Sequence, residues 1–317
     1  MRWVWDANRG KPVHENATLS FQRDGNLILA DFDGTIAWQT GTANQGVVGL
    51  DLLPNGNMVL YDKRGKFIWQ SFDQPADTLL VGQNLRSNGP NRLVSRASTM
   101  DGSLGAYSFV MEQRYWALYY KAYAFEVGFT YDMNSSPSSG TYILTRPKYN
   151  STYSMLRLES DGNLRIHTYN ENVDWGAWDV TFKLFDRDSS REISECKLPQ
   201  RCGSLGVCED NQCVACPRPQ GLLGWSKSCA PPALPPCKRG VKLDYYKVVG
   251  VEHFLNGYSE GEGPRKLVDC WNKCSNDCGC LGFFYKEESS KCLLAPVLGT
   301  LVEVSTPSHV GYIKMSK

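Results

Sequence analysis

Along LSFQRDGNLILAD, from Leu19 to Asp31, apolar and polar positions alternate with the period of two that an extended strand imposes. Leu19, Phe21, Leu27 and Leu29 fall on one side, an expected core face, and Gln22, Asp24, Asn26, Ile28 and Ala30 on the other. The pattern returns 31 residues later, where Gly25/Gly56, Asn26/Asn57, Leu29/Leu60, Asp31/Asp62, Gly34/Gly65, Trp38/Trp69 and Gln39/Gln70 coincide. There the polar face carries Leu53, Asn55, Asn57, Val59 and Tyr61. A third copy, at a constant offset of 137, matches Asp161, Gly162, Asn163, Leu164 and Trp175 to Asp24, Gly25, Asn26, Leu27 and Trp38. A fainter fourth, MDGSLGAYSF, keeps Asp101, Gly102 and Tyr107. Repeats of this length bury their apolar faces against one another, so Trp38, Trp69 and Trp175 are expected to fill a shared centre. The Asp-Gly and Asn-Gly pairs are turn chemistry. With 29 Gly and 16 Pro punctuating short alternating segments, the chain reads as all-β.

A length of 317 residues suggests two to four domains. The net charge of +1, with no basic stripe, argues against a nucleic-acid partner. The apolar run LLAPVLGTLV, broken by Pro296 and Gly299, is too short for a membrane span. All twelve cysteines lie between Cys196 and Cys292, with His253 the one histidine among them. That crowding favours a disulfide framework in an oxidising compartment over zinc ligation. Sequons at Asn16, Asn134 and Asn150 agree with secretion. The opening MRWVWDANRG has no apolar signal region, so a leader is expected to have been removed or to lie upstream.

The copies approach Gln-x-Asp-x-Asn-x-Val-x-Tyr, the signature of bulb-type mannose lectins, and with VWDANRGKPV and WQSFDQPADTLLVGQNL they resemble the lectin region of S-locus glycoproteins. Within that group the chain is similar to secreted, epidermis-associated plant glycoproteins that lack a kinase. The resemblance implies tandem bulb-lectin β-prism domains at 1–90 and 91–190, the first entered partway. It also implies a disulfide-rich EGF-like module at 196–230 and a PAN/apple-like α+β module at 237–317. It further implies the pairs Cys196–Cys208, Cys202–Cys213, Cys216–Cys229, Cys237–Cys278, Cys270–Cys292 and Cys274–Cys280. Cys270, Cys274 and Cys278 stand at i, i+4 positions of an expected helix. SREISEC supplies too few ligands for an EGF-type calcium site, so no metal is expected.

The mannose motif works by placing an acceptor carboxylate, two amides and a phenol against neighbouring hydroxyls, with an aliphatic residue under the sugar's carbons. The first copy keeps Gln22, Asp24 and Asn26, has Ile28 for Val and loses Tyr to Ala30. The second keeps Asn57, Val59 and Tyr61 but has Leu53 and Asn55. The third keeps Asp161 and Asn163, with Glu159, Arg165 and His167 at the remaining positions. The first therefore ranks highest. A purely structural role competes with it, because Asp-Gly-Asn also satisfies backbone donors in a tight bend. The aromatic stretch from Arg114 to Tyr131 reads as core and edge packing. Asp73 and Asp77, beside Pro75, read as turn and capping residues, and no catalytic motif is present. Neither an enzyme nor a cofactor is expected. Two readings stay open. One is a secreted apoplastic or cell-wall glycoprotein with at most a weak mannose or wall-glycan site. The other is a structural or protein-partner-binding cell-wall or defence glycoprotein, for example an inhibitor of foreign hydrolases, that binds no sugar and meets its partner through the EGF-like/PAN end. Strand exchange among bulb lectins makes a homo-oligomer an expectation.

Overall fold

A computed structural model of the chain describes residues 3–113, 115–121, 123–127, 153–186, 194–236, 243–257 and 259–317. Asn134, Asn150, Cys237 and the end of the aromatic stretch lie outside them.

Each of the two adjacent copies folds into a three-stranded antiparallel sheet: β1 (Thr18–Phe21), β2 (Leu27–Ala30) and β3 (Ile36–Gln39), then β4 (Val47–Leu52), β5 (Met58–Asp62) and β6 (Phe67–Gln70). The repeat extends to register. Leu29 faces Trp38 and Leu60 faces Trp69, and an irregularity follows at once in both copies, at Leu29/Ala30 and Leu60/Tyr61. Leu27, Val47 and Leu60 form the buried core under Trp38, Met58, Ile68 and Trp69. Trp5, Trp38 and Trp69 meet edge to face, with centroids 6.0, 6.0 and 5.7 Å apart. This arrangement suits the ring quadrupoles. The third ring is thus Trp5, from an irregular segment, and not Trp175, which is 93% exposed. The expected core face is only partly realised. Leu27 is buried, but Leu19 and Phe21, on the edge strand β1, remain 62% and 45% exposed.

The chain falls into two compact units, Met1–Lys121 with Gly128–Lys183, and Ala122–Val127 with Leu184–Lys317. In the first, β7 (Thr78–Leu80) comes next, with Leu80 over Gly56 of the second copy, where a Cβ would meet Leu80 Cδ1 at 2.7 Å. It is followed by the antiparallel β8 (Arg92–Arg96), β9 (Leu104–Met111) and β10 (Trp116–Tyr120). Trp116, Ala117, Leu118 and Tyr120 are buried, while Tyr115 and Tyr119 are half-buried. The strand β11 (Tyr123–Val127) belongs to the second unit. The third copy supplies β12 (Ser154–Leu158), β13 (Leu164–Tyr169) and β14 (Trp178–Lys183), and β7 joins this sheet beside β12, crossing the boundary expected near residue 90. Asp77 stands at a bend before β7, but its side chain does more than shape that bend. Fully buried, it accepts from Arg96 Nε at 2.8 Å and from Thr78 Oγ1 at 2.8 Å, while Arg96 Nη2 reaches Asp6 at 2.7 Å. Arg9 spends its guanidinium on the carbonyls of Gly102, Val94, Ser95 and Ser103, and burial pulls its pKa down.

In the second unit, β15 (Leu205–Glu209), β16 (Gln212–Arg218) and β17 (Gly221–Gly224) form the hairpins of the first cysteine set. β18 (Leu243–Val249) and β19 (Val251–His253) precede the helix α1 (Leu267–Asn276), and β20 (Gly282–Lys286), β21 (Lys291–Ala295), β22 (Gly299–Glu303) and β23 (His309–Ser316) follow. β15 pairs in parallel with β22, so the stretches expected as separate EGF-like and PAN-like modules share one five-stranded sheet. The small core around Cys196, Cys202 and Cys208 uses Val302 from that strand as cover. Disulfides join Cys196 to Cys208, Cys202 to Cys213, Cys216 to Cys229, Cys270 to Cys292 and Cys274 to Cys280. Cys270 and Cys274 ride on α1, but Cys278 lies beyond its end and is also disulfide-bonded. Lys314 Nζ donates to the carbonyls of Cys274 and Asp277, closing the helix C-terminus where its dipole favours a cation. Among the described residues no helix is long and apolar enough to cross a membrane.

Candidate functional site

The three motif copies build one turn, bond for bond. In the first, Gln22 N donates to Asn26 O at 2.8 Å, Gly25 N to Gln22 O at 3.0 Å, and Asn26 N to Asp24 Oδ1 at 3.0 Å. Leu53, Gly56, Asn55 and Asn57 repeat this at 2.9, 2.8 and 3.1 Å. Glu159, Gly162, Asp161 and Asn163 repeat it at 3.0, 3.0 and 2.9 Å. Asp101 Oδ1 likewise accepts from Ser103 N in the fourth, a bond that lowers the Asp101 pKa. The fourth residue of the turn must be glycine for two reasons. Gly162 has φ +86, and a Cβ there would meet the Tyr107 ring at 2.6 Å. The motif therefore does not lie along one strand face, as alternation suggested: residues 22–26 wrap a turn, and the strand starts at Leu27.

The asparagines are anchors. Buried Asn26 donates from Nδ2 to Gln39 Oε1 at 3.0 Å and accepts on Oδ1 from Thr40 Oγ1 at 3.0 Å and Thr42 N at 3.2 Å. Buried Asn57 donates to Gln70 Oε1 at 2.9 Å and accepts from Ser71 Oγ and Phe72 N, both at 3.2 Å. Asn163 is fully buried. Gln39 and Gln70 were visible as repeated letters, yet only the fold shows them as the asparagines' acceptors.

What the copies leave for a ligand differs. In the first, Gln22 and Asp24 are exposed, Asp24 spending Oδ1 on the turn, and Ile28 is half-buried beside them. In the second, Val59 is buried, Asn55 serves the turn, Leu53 offers no polar atom, and Tyr61 packs over Gly49, where a Cβ would touch its hydroxyl at 2.5 Å. In the third, the polar groups are matched to one another. Arg165 grips Asp161 through two bonds of 2.8 and 2.6 Å, and His167 Nε2 lies 2.7 Å from Glu159 Oε1. Residues at the aliphatic and phenol positions thus occupy the acids a sugar would use.

Asn16 is exposed at φ +66, next to an ion pair in which His14 Nδ1 lies 2.7 Å from Asp31 Oδ2. The bond raises the His14 pKa and lowers that of Asp31.

Residues 2–99 match the family of D-mannose binding lectins. Over 99% of its length the chain is 44% identical to EP1-like glycoprotein 1 of Arabidopsis thaliana, covering 80% of that protein. Over 79% of its length it is 48% identical to the epidermis-specific secreted glycoprotein EP1 of Daucus carota, covering 76% of that protein. Among solved structures, the Polygonatum cyrtonema lectin complexed with monomannoside aligns to 40% of this chain and 86% of its own, at 24% identity and a TM-score of 0.17.

Proposed function

The chain belongs to the EP1-like glycoproteins, plant proteins built on a D-mannose binding lectin scaffold, and from that premise we propose that it is a secreted, non-catalytic wall protein with a single weak glycan site. The site is the first copy, where the Asp24 carboxylate and Gln22 amide accept and donate to neighbouring sugar hydroxyls and Ile28 packs under the ring. The observation that carries this reading is the contrast between exposed Gln22 and Asp24 and the Arg165–Asp161 and His167–Glu159 pairs that close the third copy. One carboxylate and one amide without the phenol make few hydrogen bonds, each contributing about 1 kcal/mol net, so affinity for a monosaccharide is millimolar or weaker. Useful retention on a wall then depends on several copies meeting several glycans.

Titration of the deglycosylated protein with mannose and a high-mannose oligosaccharide, followed by NMR, tests this. The proposal expects one saturable site that disappears in Asp24→Ala. No response to either sugar at high millimolar concentration would instead favour the other reading, a protein-binding role for the cysteine-rich unit.

A further inference from the structure

The three copies protect the same sheet edge in different ways. β1, β4 and β12 are equivalent strands: Leu19 faces Leu29, Leu50 faces Leu60 and Leu156 faces Ile166. In the third copy β7 pairs along the outer side of β12. In the second, β4 lies at a sheet edge but has a register irregularity between Val47 and Gly49 and an exposed charge at Asp51. A bulge and a charge both deter pairing with another chain. β1 has neither device. Its register is regular, Ser20 stands where β4 has Asp51, and the strand holds no charge and no proline. Among the described residues no strand pairs with its outer side, and Leu19 and Phe21 are exposed on it.

The sequon Asn16-Ala17-Thr18 runs straight into this bare edge, Thr18 being the first residue of β1. Asn16 is exposed in a turn closed by Ala17 N donating to His14 O at 3.4 Å, at a left-handed φ of +66 that asparagine tolerates. The start of that turn is clamped, since His14 N donates to Asp31 Oδ1 at 3.1 Å and the His14 ring meets exposed Phe32 edge to face at 5.6 Å.

We propose that an N-linked oligosaccharide on Asn16 is the edge protection of β1, keeping it from pairing with a strand of a second copy. In transfer from a lipid-diphosphate oligosaccharide of the secretory pathway, Asn16 Nδ2 gains the bond to the sugar C1 and loses one proton. The C1–O bond to the diphosphate breaks, the electron pair leaves on the phosphate, and nothing is oxidised or reduced. A bulky, solubilising group rooted two residues before a strand about 13 Å long reaches its whole edge. The turn of residues 22–26 lies past the far end of β1, so the shield does not rest on the first-copy sugar site.

The test uses the full chain carrying Asn134→Gln and Asn150→Gln, secreted from plant cells, so that Asn16 holds the one remaining sequon. Peptide mass spectrometry is expected to find hexose and N-acetylhexosamine on Asn16, and light scattering a monomer. With Asn16→Gln added, the mass rises twofold with concentration. A further Leu19→Lys puts a charge on the bare edge and restores the monomer. If Asn16→Gln fails to be secreted, an endoglycosidase that trims the folded glycoprotein to its first N-acetylglucosamine produces the same doubling. Three results overturn the proposal. They are an unmodified Asn16 in the secreted protein, a monomer at every concentration after loss of the glycan, or a glycosylated dimer split by Leu19→Lys, which makes a second copy the cover.

Discussion

Replacing Asn57 with Leu keeps the side chain's size and removes three hydrogen bonds: one donated to Gln70 Oε1 and two accepted from Ser71 Oγ and Phe72 N. Gln70 still has Asp73 as a partner, at 2.9 Å from its Nε2. Ser71 is buried, and its hydroxyl together with the part-buried Phe72 N–H loses its acceptor. At about 1–3 kcal/mol for each buried donor left unmet, the substitution costs roughly 3 kcal/mol. Asn55→Ala removes only the exposed acceptor of the Asn57 N–H and costs about 1 kcal/mol. Urea unfolding read by tryptophan fluorescence monitors the Trp5–Trp38–Trp69 cluster, in a unit without cysteines. With a slope of about 2 kcal/mol per molar urea, Asn57→Leu lowers the midpoint by roughly 1.5 M, against about 0.5 M for Asn55→Ala. Equal midpoint shifts for the two variants would refute the assignment of the asparagine as buried anchor and its neighbour as turn residue.

Gly162→Ala, which combines a left-handed φ with collision against Tyr107, is expected to melt the first unit well below wild type in calorimetry. Lys314→Met leaves the carbonyls of Cys274 and Asp277 without their donor and lowers the second unit's stability by about 1–3 kcal/mol in oxidised thermal unfolding. Burial holds His253 down to about 4 from 6.5, with Nε2–H donated to Val297 O and Nδ1 accepting from Leu255 N. The unfolded imidazole takes a proton that the folded one refuses, so stability is complete above pH 6.5 and drains away as pH falls to about 4. At about 1.4 kcal/mol per unit the loss is roughly 3 kcal/mol, and His253→Gln flattens that slope in pH-dependent denaturation. The triple variant Glu159→Gln, Arg165→Val, His167→Tyr removes both closing pairs of the third copy and is expected to add a second saturable mannose site in NMR titration.

The fold was legible where a signal is local and repeated. The doubled Asn-Gly and Asp-Gly turns follow from turn chemistry, and Trp38 and Trp69 from the repeat itself. Alternation assigns a residue to a face but does not say whether that face is covered, which is why Leu19 and Phe21 stay exposed on an edge strand. The constant offset that nominated Trp175 fails because the loop between β13 and β14 is longer than its counterparts, and Phe182 faces Ile166 where Trp38 faces Leu29. Trp5 has no repeated copy to announce it. Asp77 resembled a turn residue beside Pro75, yet its partner Arg96 lies 19 residues away. At the candidate site, the eroded letters foretold that the copies differ in competence. They did not foretell that Arg165 and His167 would be paired with the copy's own acids, because neither pairing follows from scoring each position alone.

One turn is used three times, and the proposed function holds that it stays open to a sugar only in the first copy. A crystal structure of the protein soaked in a mannose oligosaccharide tests it most directly. The predicted result is density for a sugar against Gln22 and Asp24, with Arg165 still on Asp161. Sugar bound at Asp161 with that pair broken, while Asp24 stays bare, would contradict it.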